Sequence, residues 1–212
     1  MITVWGRATA SNVQTIMWAL AELGLEVERL DLGGPFGGTD TPEYRAMNPN
    51  GLIPTLRDKG VILWESAAIV RYLGAAYGDA QFWPPDPLTR AQVDKWAEWF
   101  KTSFGPVFIM EVFWPLIGLR PDQRDPAAGA AGVEKLRGLV AMIDARLAEG
   151  PYLGGEDICF ADIMAGALLY RYFTVEIERA PTPHLEAYYR RLTQRPAYAK
   201  HVMVCYDSLR AK

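Results

Sequence analysis

Residues 49 to 66 read Pro49-Asn50-Gly51-Leu52-Ile53-Pro54-Thr55-Leu56-Arg57-Asp58-Lys59-Gly60-Val61-Ile62-Leu63-Trp64-Glu65-Ser66. Two short apolar runs, Ile53 to Leu56 and Val61 to Trp64, flank Asp58-Lys59-Gly60, the pattern of a small β-hairpin. Pro54 stands at the start of the first run. Having no N–H, it cannot donate to a strand ladder, so it belongs at an edge, a bulge or a strand's first residue, and either isomer of its peptide bond is compatible with that. The backbone N–H and C=O of Ile53 are then left without a strand partner, free to pair with an extended peptide laid alongside. After the second run come Glu65, Ser66 and a helical pattern, Ile69, Val70 and Leu73. Ser66 reads as the N-cap of that helix, whose first N–H groups form a carboxylate site.

This stretch therefore offers two backbone groups for a peptide bond, a helix N-terminus for a carboxylate and the Glu65 side chain for an ammonium. A small peptide with an α-amino-acid end satisfies all three. The plainer reading is that Pro54 only shapes a turn and Ser66 only caps a helix.

The chain has 212 residues, half of them hydrophobic and 12% aromatic, enough for a substantial core in one large or two small domains. Net charge is −3, and no cluster of Lys or Arg is present, which argues against nucleic acid and anionic membrane as partners. No apolar run approaches the ~18 residues of a membrane span, and Met1 to Arg7 lacks a signal-peptide pattern, so the expectation is a cytoplasmic protein. Cys159 and Cys205 form no Cys-x-x-Cys pair and read as small hydrophobes. His184 and His201 are the only histidines, and no metal-ligand spacing is found, so no metal is expected.

In chain order, Ile2 to Trp5 is a strand. Ser11 or Asn12 caps a helix carried by Val13, Ile16, Met17, Leu20 and Leu23, with Gly24 as the stop. Val27 to Leu32 is a second strand, which completes a βαβ unit with a right-handed crossover. A loop over 33–38 with four glycines and a proline follows, then a helical turn over 42–47, the hairpin and the helix after Ser66. The order βαβ-ββα makes a small mixed sheet with helices on its faces. Pro84, Pro85 and Pro87 mark a boundary, beyond which strand signals vanish. Two long helices run through Trp96–Phe108, with Pro106 bending the first, and through Leu136–Leu147. Shorter ones start near Asp162 and His184, and a last stretch follows Pro196. The expected division is a domain over 1–79, a linker over 80–87 and an all-helical domain over 88–212.

The succession Ser11-Asn12, Asn48-Pro49-Asn50-Gly51-Leu52-Ile53-Pro54 and Glu65-Ser66-Ala67-Ala68-Ile69 resembles the cytosolic glutathione S-transferase superfamily. Gly150-Pro151-Tyr152-Leu153, Phe160-Ala161-Asp162-Ile163, Tyr170-Arg171-Tyr172-Phe173 and Pro183-His184-Leu185 are similar to the helical domain of its bacterial theta- and beta-like members. The resemblance implies a thioredoxin-like N-terminal domain and glutathione as cosubstrate. It implies that Ile53 and Pro54 hold the cysteinyl backbone, and Glu65 and Ser66 the γ-glutamyl end. The thiol points at the first helix, where Ser11, then Asn12, then Thr9 are the candidates to face the sulfur. No tyrosine or cysteine occupies the early positions, against the alpha, mu and pi types and against thiol exchange through an enzyme cysteine.

Phe104 and Phe108 are expected to line the pocket for a hydrophobic electrophile, although such a stripe also suits a plain helical core. The resemblance further implies a homodimer active in detoxification. Two departures concern glutathione itself: Leu52 replaces a basic residue that relatives place before the Ile/Val-Pro pair, and Ala67 replaces an arginine of insect-type relatives. Cys159 stands where a capping Ser or Thr is usual, three residues before Asp162, so Asp162 takes a structural role in a poorer capping box. Three functions remain open: glutathione conjugation to electrophiles, glutathione-dependent reduction of disulfides or peroxides, and a non-catalytic binding module.

Overall fold

The structure, a computed structural model, describes residues 1–211. Strand β1 (Ile2–Trp5), helix α1 (Ser11–Glu22) and strand β2 (Val27–Leu30) form the βαβ unit. Helix α2 (Pro42–Met47), strands β3 (Thr55–Asp58) and β4 (Val61–Trp64) and helix α3 (Ser66–Tyr77) follow. The sheet order is β2-β1-β3-β4, with β1 parallel to β2, and β3 antiparallel to both β1 and β4. Asp58 pairs with Val61, so Lys59 and Gly60 are the hairpin's two turn residues, at φ 49° and 83°, the positive values such a two-residue turn requires. β2 ends two residues before the expected Leu32, yet the chain stays paired, because Gly6 and Arg7 donate their N–H groups to the carbonyls of Leu30 and Leu32.

The helix starts differ from the sequence reading. Neither Ser11 nor Asn12 caps α1: the N-cap is Ala10, which has no side chain to offer, and its carbonyl accepts from both Val13 and Gln14. Ser66 likewise opens α3 as its first residue, behind Glu65, whose φ is 67° and whose side chain makes no cap hydrogen bond. The chain turns into each helix one residue earlier than a capping serine would require. Each hydroxyl therefore lies within the first turn, and the leading N–H groups are left without a capping side chain.

Beyond the proline-rich break a continuous helical path begins with α4 (Pro87–Trp99), passes through two π-helical stretches, Phe100–Phe104 and Val107–Phe113, and ends in α5 (Trp114–Ile117). Gly105 and Pro106 lie between the two wide stretches. A proline inside a helix supplies no N–H and crowds the carbonyl one turn back, and widening the coil around it relieves both problems. α6 (Pro126–Leu147), α7 (Phe160–Gly166), α8 (Leu169–Thr174), α9 (Pro183–Thr193) and α10 (Pro196–His201) complete the helical half.

Phe100, Phe104, Phe108 and Phe113 form a run of aromatic contacts with ring centroids 5.2 to 5.9 Å apart, and Tyr172 meets the middle two edge-on. At α7, Asp162 is fully buried and accepts from the N–H groups of Leu153 and Cys159 and from the Tyr188 hydroxyl, at 2.8 to 2.9 Å. Burial pushes its carboxyl up while these three donors pull the other way.

The two halves share one core. Trp18 of α1 is wholly buried, meets Tyr198 of α10 edge-on at 4.9 Å and lies over Gly166, where an added Cβ would come within 2.7 Å of the indole. Its Nε1 donates to Glu22, whose carboxylate also takes a two-pronged ion pair from Arg195. This contact fixes α1, and hence its N-terminus, against the helical half.

Candidate functional site

Three segments meet at the end of the sheet. β1 runs out at Trp5 into Gly6, where an added Cβ would come within 2.4 Å of a Val13 methyl and 3.3 Å of Ile53 Cβ. Glycine at this position lets the strand end, the start of α1 and Ile53 close together.

The loop carrying Ile53 is held from behind. Asn48 and Tyr44 both donate to the carbonyl of Leu52, at 2.8 and 2.7 Å, and both contact the Thr55 hydroxyl. Burial raises the Tyr44 pKa while its bonds to Thr55 and Asn48 oppose the shift, so Tyr44 stays a donor. The Ile53–Pro54 bond is cis. Strand pairing resumes only at Thr55, and among the described residues the backbone N–H and C=O of Ile53 make no hydrogen bond. The edge expected from Pro54 is thus present. Tyr44 carries no motif and was missed from the sequence.

The first turns of α1 and α3 lie side by side. Ser66, itself buried, bonds through its Oγ to Asn12 Oδ1 at 3.2 Å, and Lys101 from the first π-helical stretch places its Nζ 3.3 Å from each of those oxygens. Lys101 has no carboxylate partner among the described residues. A lysine on the far side of the domain boundary gives no motif signal, and Lys101 was missed from the sequence.

Ser11, Asn12, Thr15, Ser66 and Lys101 form the polar floor of a cleft of about 270 Å³. Its apolar wall comes from Ile109, Met110, Met164 and Leu168. Phe104 and Phe108 are 0% exposed and belong to the core, which corrects the expectation that they line this cleft. On this helix, one face carries the phenylalanines inward, and the adjoining face, Ile109 and Met110, reaches the cleft. Thr9 does not line it either: its carbonyl is held by the Arg171 guanidinium at 2.6 Å. Ser11, Asn12 and Ser66 are therefore brought together at the cleft, the Ile53 edge packs on Gly6 where β1 runs out towards α1, and Glu65, next to Ser66, is exposed. Larger hollows between α6 and the stretch 176–184 lie away from both of these helix starts.

Such a site suits an extended peptide with an anionic end and a nucleophilic middle: an unpaired strand edge, two open helix N-termini and a neighbouring ammonium stabilise negative charge, and an apolar recess receives a second molecule. Among the described residues no group of His, Cys, Asp and Glu is placed to hold a metal ion.

Residues 1–75 match the family model described as "Glutathione S-transferase, N-terminal domain", and residues 107–196 match "Glutathione S-transferase, C-terminal domain". The chain is 38% identical to glutathione S-transferase GstB of Escherichia coli (strain K12), over 96% of this chain and 99% of that one. It is 29% identical to glutathione S-transferase 3 of Zea mays, over 95% and 93% of the two chains. Among solved structures, a theta class glutathione S-transferase from Xanthomonas axonopodis pv. citri with glutathione bound superposes with a TM-score of 0.91 at 45% identity, covering 96% of this chain and 98% of that one.

Proposed function

The chain belongs to the glutathione S-transferase family, and on that premise we propose that it conjugates glutathione to small hydrophobic electrophiles at the cleft between α1, α3 and the helical half. The observation that carries this reading is the junction of two uncapped helix starts, joined by Ser66 and Asn12, beside the unpaired backbone of Ile53. In this reading Ile53, next to Pro54, exchanges N–H and C=O bonds with the cysteinyl residue. Ser66 and the first N–H groups of α3 hold the γ-glutamyl carboxylate, and Glu65 takes its ammonium. Arg45 of α2, which lies over Gly51 and donates to the Pro49 carbonyl, supplies near Leu52 the cation for the glycyl carboxylate.

The sulfur then points at the start of α1. A free thiol has pKa ~8.5, and lowering it by about two units takes ~2.7 kcal/mol of preferential thiolate stabilisation. The Ser11 hydroxyl, the open N–H groups of the first turn and the positive end of α1 supply it together, with Asn12 beside them. Thr9, tethered through its carbonyl and outside the cleft, takes no part. The thiolate attacks the electrophilic carbon, a C–S bond forms, and the leaving group departs with its electron pair. The apolar wall of Ile109, Met110, Met164 and Leu168 holds the electrophile near the sulfur, which supports a hydrophobic cosubstrate.

We assign glutathione binding to residues 1–79 and cosubstrate binding to 88–212, joined by 80–87. A homodimer and a cytoplasmic setting belong to the same proposal. They rest on family likeness, together with the fact that among the described residues no helix is long and apolar enough to cross a membrane. Steady-state rates of the wild type and Ser11→Ala, with glutathione and an aryl halide, a hydroperoxide and a mixed disulfide, test the reading. Turnover concentrated on the aryl halide and lowered at least tenfold in the variant supports it. Turnover confined to the disulfide or peroxide assigns a reductase, and none on any substrate assigns a binding module.

A further inference from the structure

Arg71 of α3, five residues past Ser66, reaches across to α4 and takes ion pairs with both Asp94 and Glu98, at 2.8 and 2.7 Å. This contact sets the register of the helical path against α3. Two residues beyond Glu98 stands Phe100, 1% exposed, with its ring 5.1 Å from that of Trp99 and 5.2 Å from that of Phe104. The stem of Lys101 therefore leaves from an anchored stretch of backbone. Its Nζ completes a nearly equilateral triangle with Ser66 Oγ and Asn12 Oδ1, on the floor of the cleft, with sides of 3.2, 3.3 and 3.3 Å. Both partners are neutral. An ammonium has three donors and bonds far more strongly to an ionised oxygen, so these two acceptors leave it undersupplied. The acid that helical spacing would offer it, Glu98 three residues back, is held by Arg71. The uncapped starts of α1 and α3 bring further positive charge to the same corner. An ammonium and two positive helix ends thus meet with only neutral oxygens between them.

We infer that Lys101 is a glutathione-binding residue contributed by the helical half, and that its ammonium pairs with the α-carboxylate of the γ-glutamyl residue, opposite Ser66 and the first N–H groups of α3. The inference rests on the proposed orientation of glutathione, in which that carboxylate accepts from Ser66. An oxygen bonded to the Ser66 hydroxyl lies within reach of Nζ by rotation about the lysine's terminal bonds, and it replaces a neutral acceptor with a charged one. The zwitterionic end is then read from both sides of the cleft, its ammonium by Glu65 of the N-terminal half and its carboxylate by Lys101 of the helical half. Lys101 is in this account a specificity-determining residue, selecting thiols that carry a free carboxylate at this end.

Calorimetric titration with three thiols tests this without requiring turnover. They are glutathione, glutaryl-cysteinyl-glycine, which keeps the carboxylate and lacks the ammonium, and 4-aminobutyryl-cysteinyl-glycine, which keeps the ammonium and lacks the carboxylate. The wild type is expected to bind the 4-aminobutyryl thiol about tenfold or more weakly than glutathione. Lys101→Met should raise Kd about tenfold for glutathione and for the glutaryl thiol, and about twofold or less for the 4-aminobutyryl thiol. Lys101→Arg, which keeps the charge, should stay within about threefold of the wild type for all three. Equal losses for all three thiols overturn the inference, as does an unchanged Kd accompanied by a shift in the ionisation of the bound thiol alone, which would give Lys101 to the sulfur. Failure of the underlying orientation is read separately. A wild type that binds the 4-aminobutyryl thiol as well as glutathione sinks that orientation and the inference with it. Discrimination that is lost in Ser66→Ala and kept in Lys101→Met leaves the orientation standing and sinks Lys101 alone.

Discussion

Ser66 and Asn12, 54 residues apart, are joined by a 3.2 Å hydrogen bond from the serine hydroxyl to the amide oxygen, and this links the first turns of α3 and α1. One turn faces the proposed position of the γ-glutamyl carboxylate and the other that of the sulfur. When the carboxylate arrives, the hydroxyl can turn to it. Ser66→Ala should therefore raise the KM for glutathione about tenfold, a loss of ~1.4 kcal/mol, with kcat within about twofold. Initial rates at varied glutathione check this. A fall in kcat at unchanged KM would place Ser66 in the chemical step instead.

Lys101 brings a positive charge to the same two oxygens from the helical half. Removing it with Lys101→Met should raise the pKa of the bound thiol by ~0.5–1 unit, about 0.7–1.4 kcal/mol, with the effect shrinking as salt is added. The acid limb of the kcat/KM profile measures the shift. Lys101→Arg should keep most of the wild-type value.

Phe104 and Met110 occupy neighbouring faces of one helix, the first wholly buried and the second largely exposed at the cleft. Phe104→Ala should cost ~3–5 kcal/mol of stability in urea unfolding, as a large cavity in a packed aromatic cluster does. Met110→Ala should leave stability within about 0.5 kcal/mol and change the KM for apolar electrophiles. Opposite outcomes would return the phenylalanines to the pocket.

Asp58, at the end of the hairpin's first strand, accepts from the hydroxyls of Tyr72 and Tyr77 at 2.6 and 2.5 Å. Burial raises its pKa, but the two hydroxyls and Lys59 outweigh that, and the net shift is downward. An acid whose folded-state value is depressed contributes stability above its unfolded-state value, near 3.9, and loses it as pH falls through the folded-state value. The wild type should therefore lose more stability between about pH 5 and about pH 3 than Asp58→Asn does. Urea midpoints across that range give the comparison, and parallel curves would refute the assignment.

The succession of strands and helices along the chain, the helical half and the Ile53 edge were legible because each rests on local pattern: alternation in the hairpin, a proline that cannot donate, and a 3.6-residue period. The serine caps were misread because a serine before a helical pattern fits either the N-cap or the first helical position, and only the backbone angles of Ala10 and Glu65 separate the two. Phe104 and Phe108 were misplaced for a related reason. A periodic stripe identifies the inward face of a helix but does not say which adjoining residues look into a cleft. Lys101 and Tyr44 gave no signal, since the partners of Lys101 lie 35 and 89 residues away in sequence and Tyr44 acts across a turn whose shape is tertiary.

The ionisation of glutathione on the protein is the most direct test. Ultraviolet absorbance of the thiolate, titrated in the binary complex without electrophile, should give a pKa near ~6.5 for the wild type, about two units below the free thiol, and recover most of that difference in Ser11→Ala. A bound thiol that titrates near ~8.5 in the wild type, or an identical value in the variant, would contradict activation at the start of α1 by Ser11.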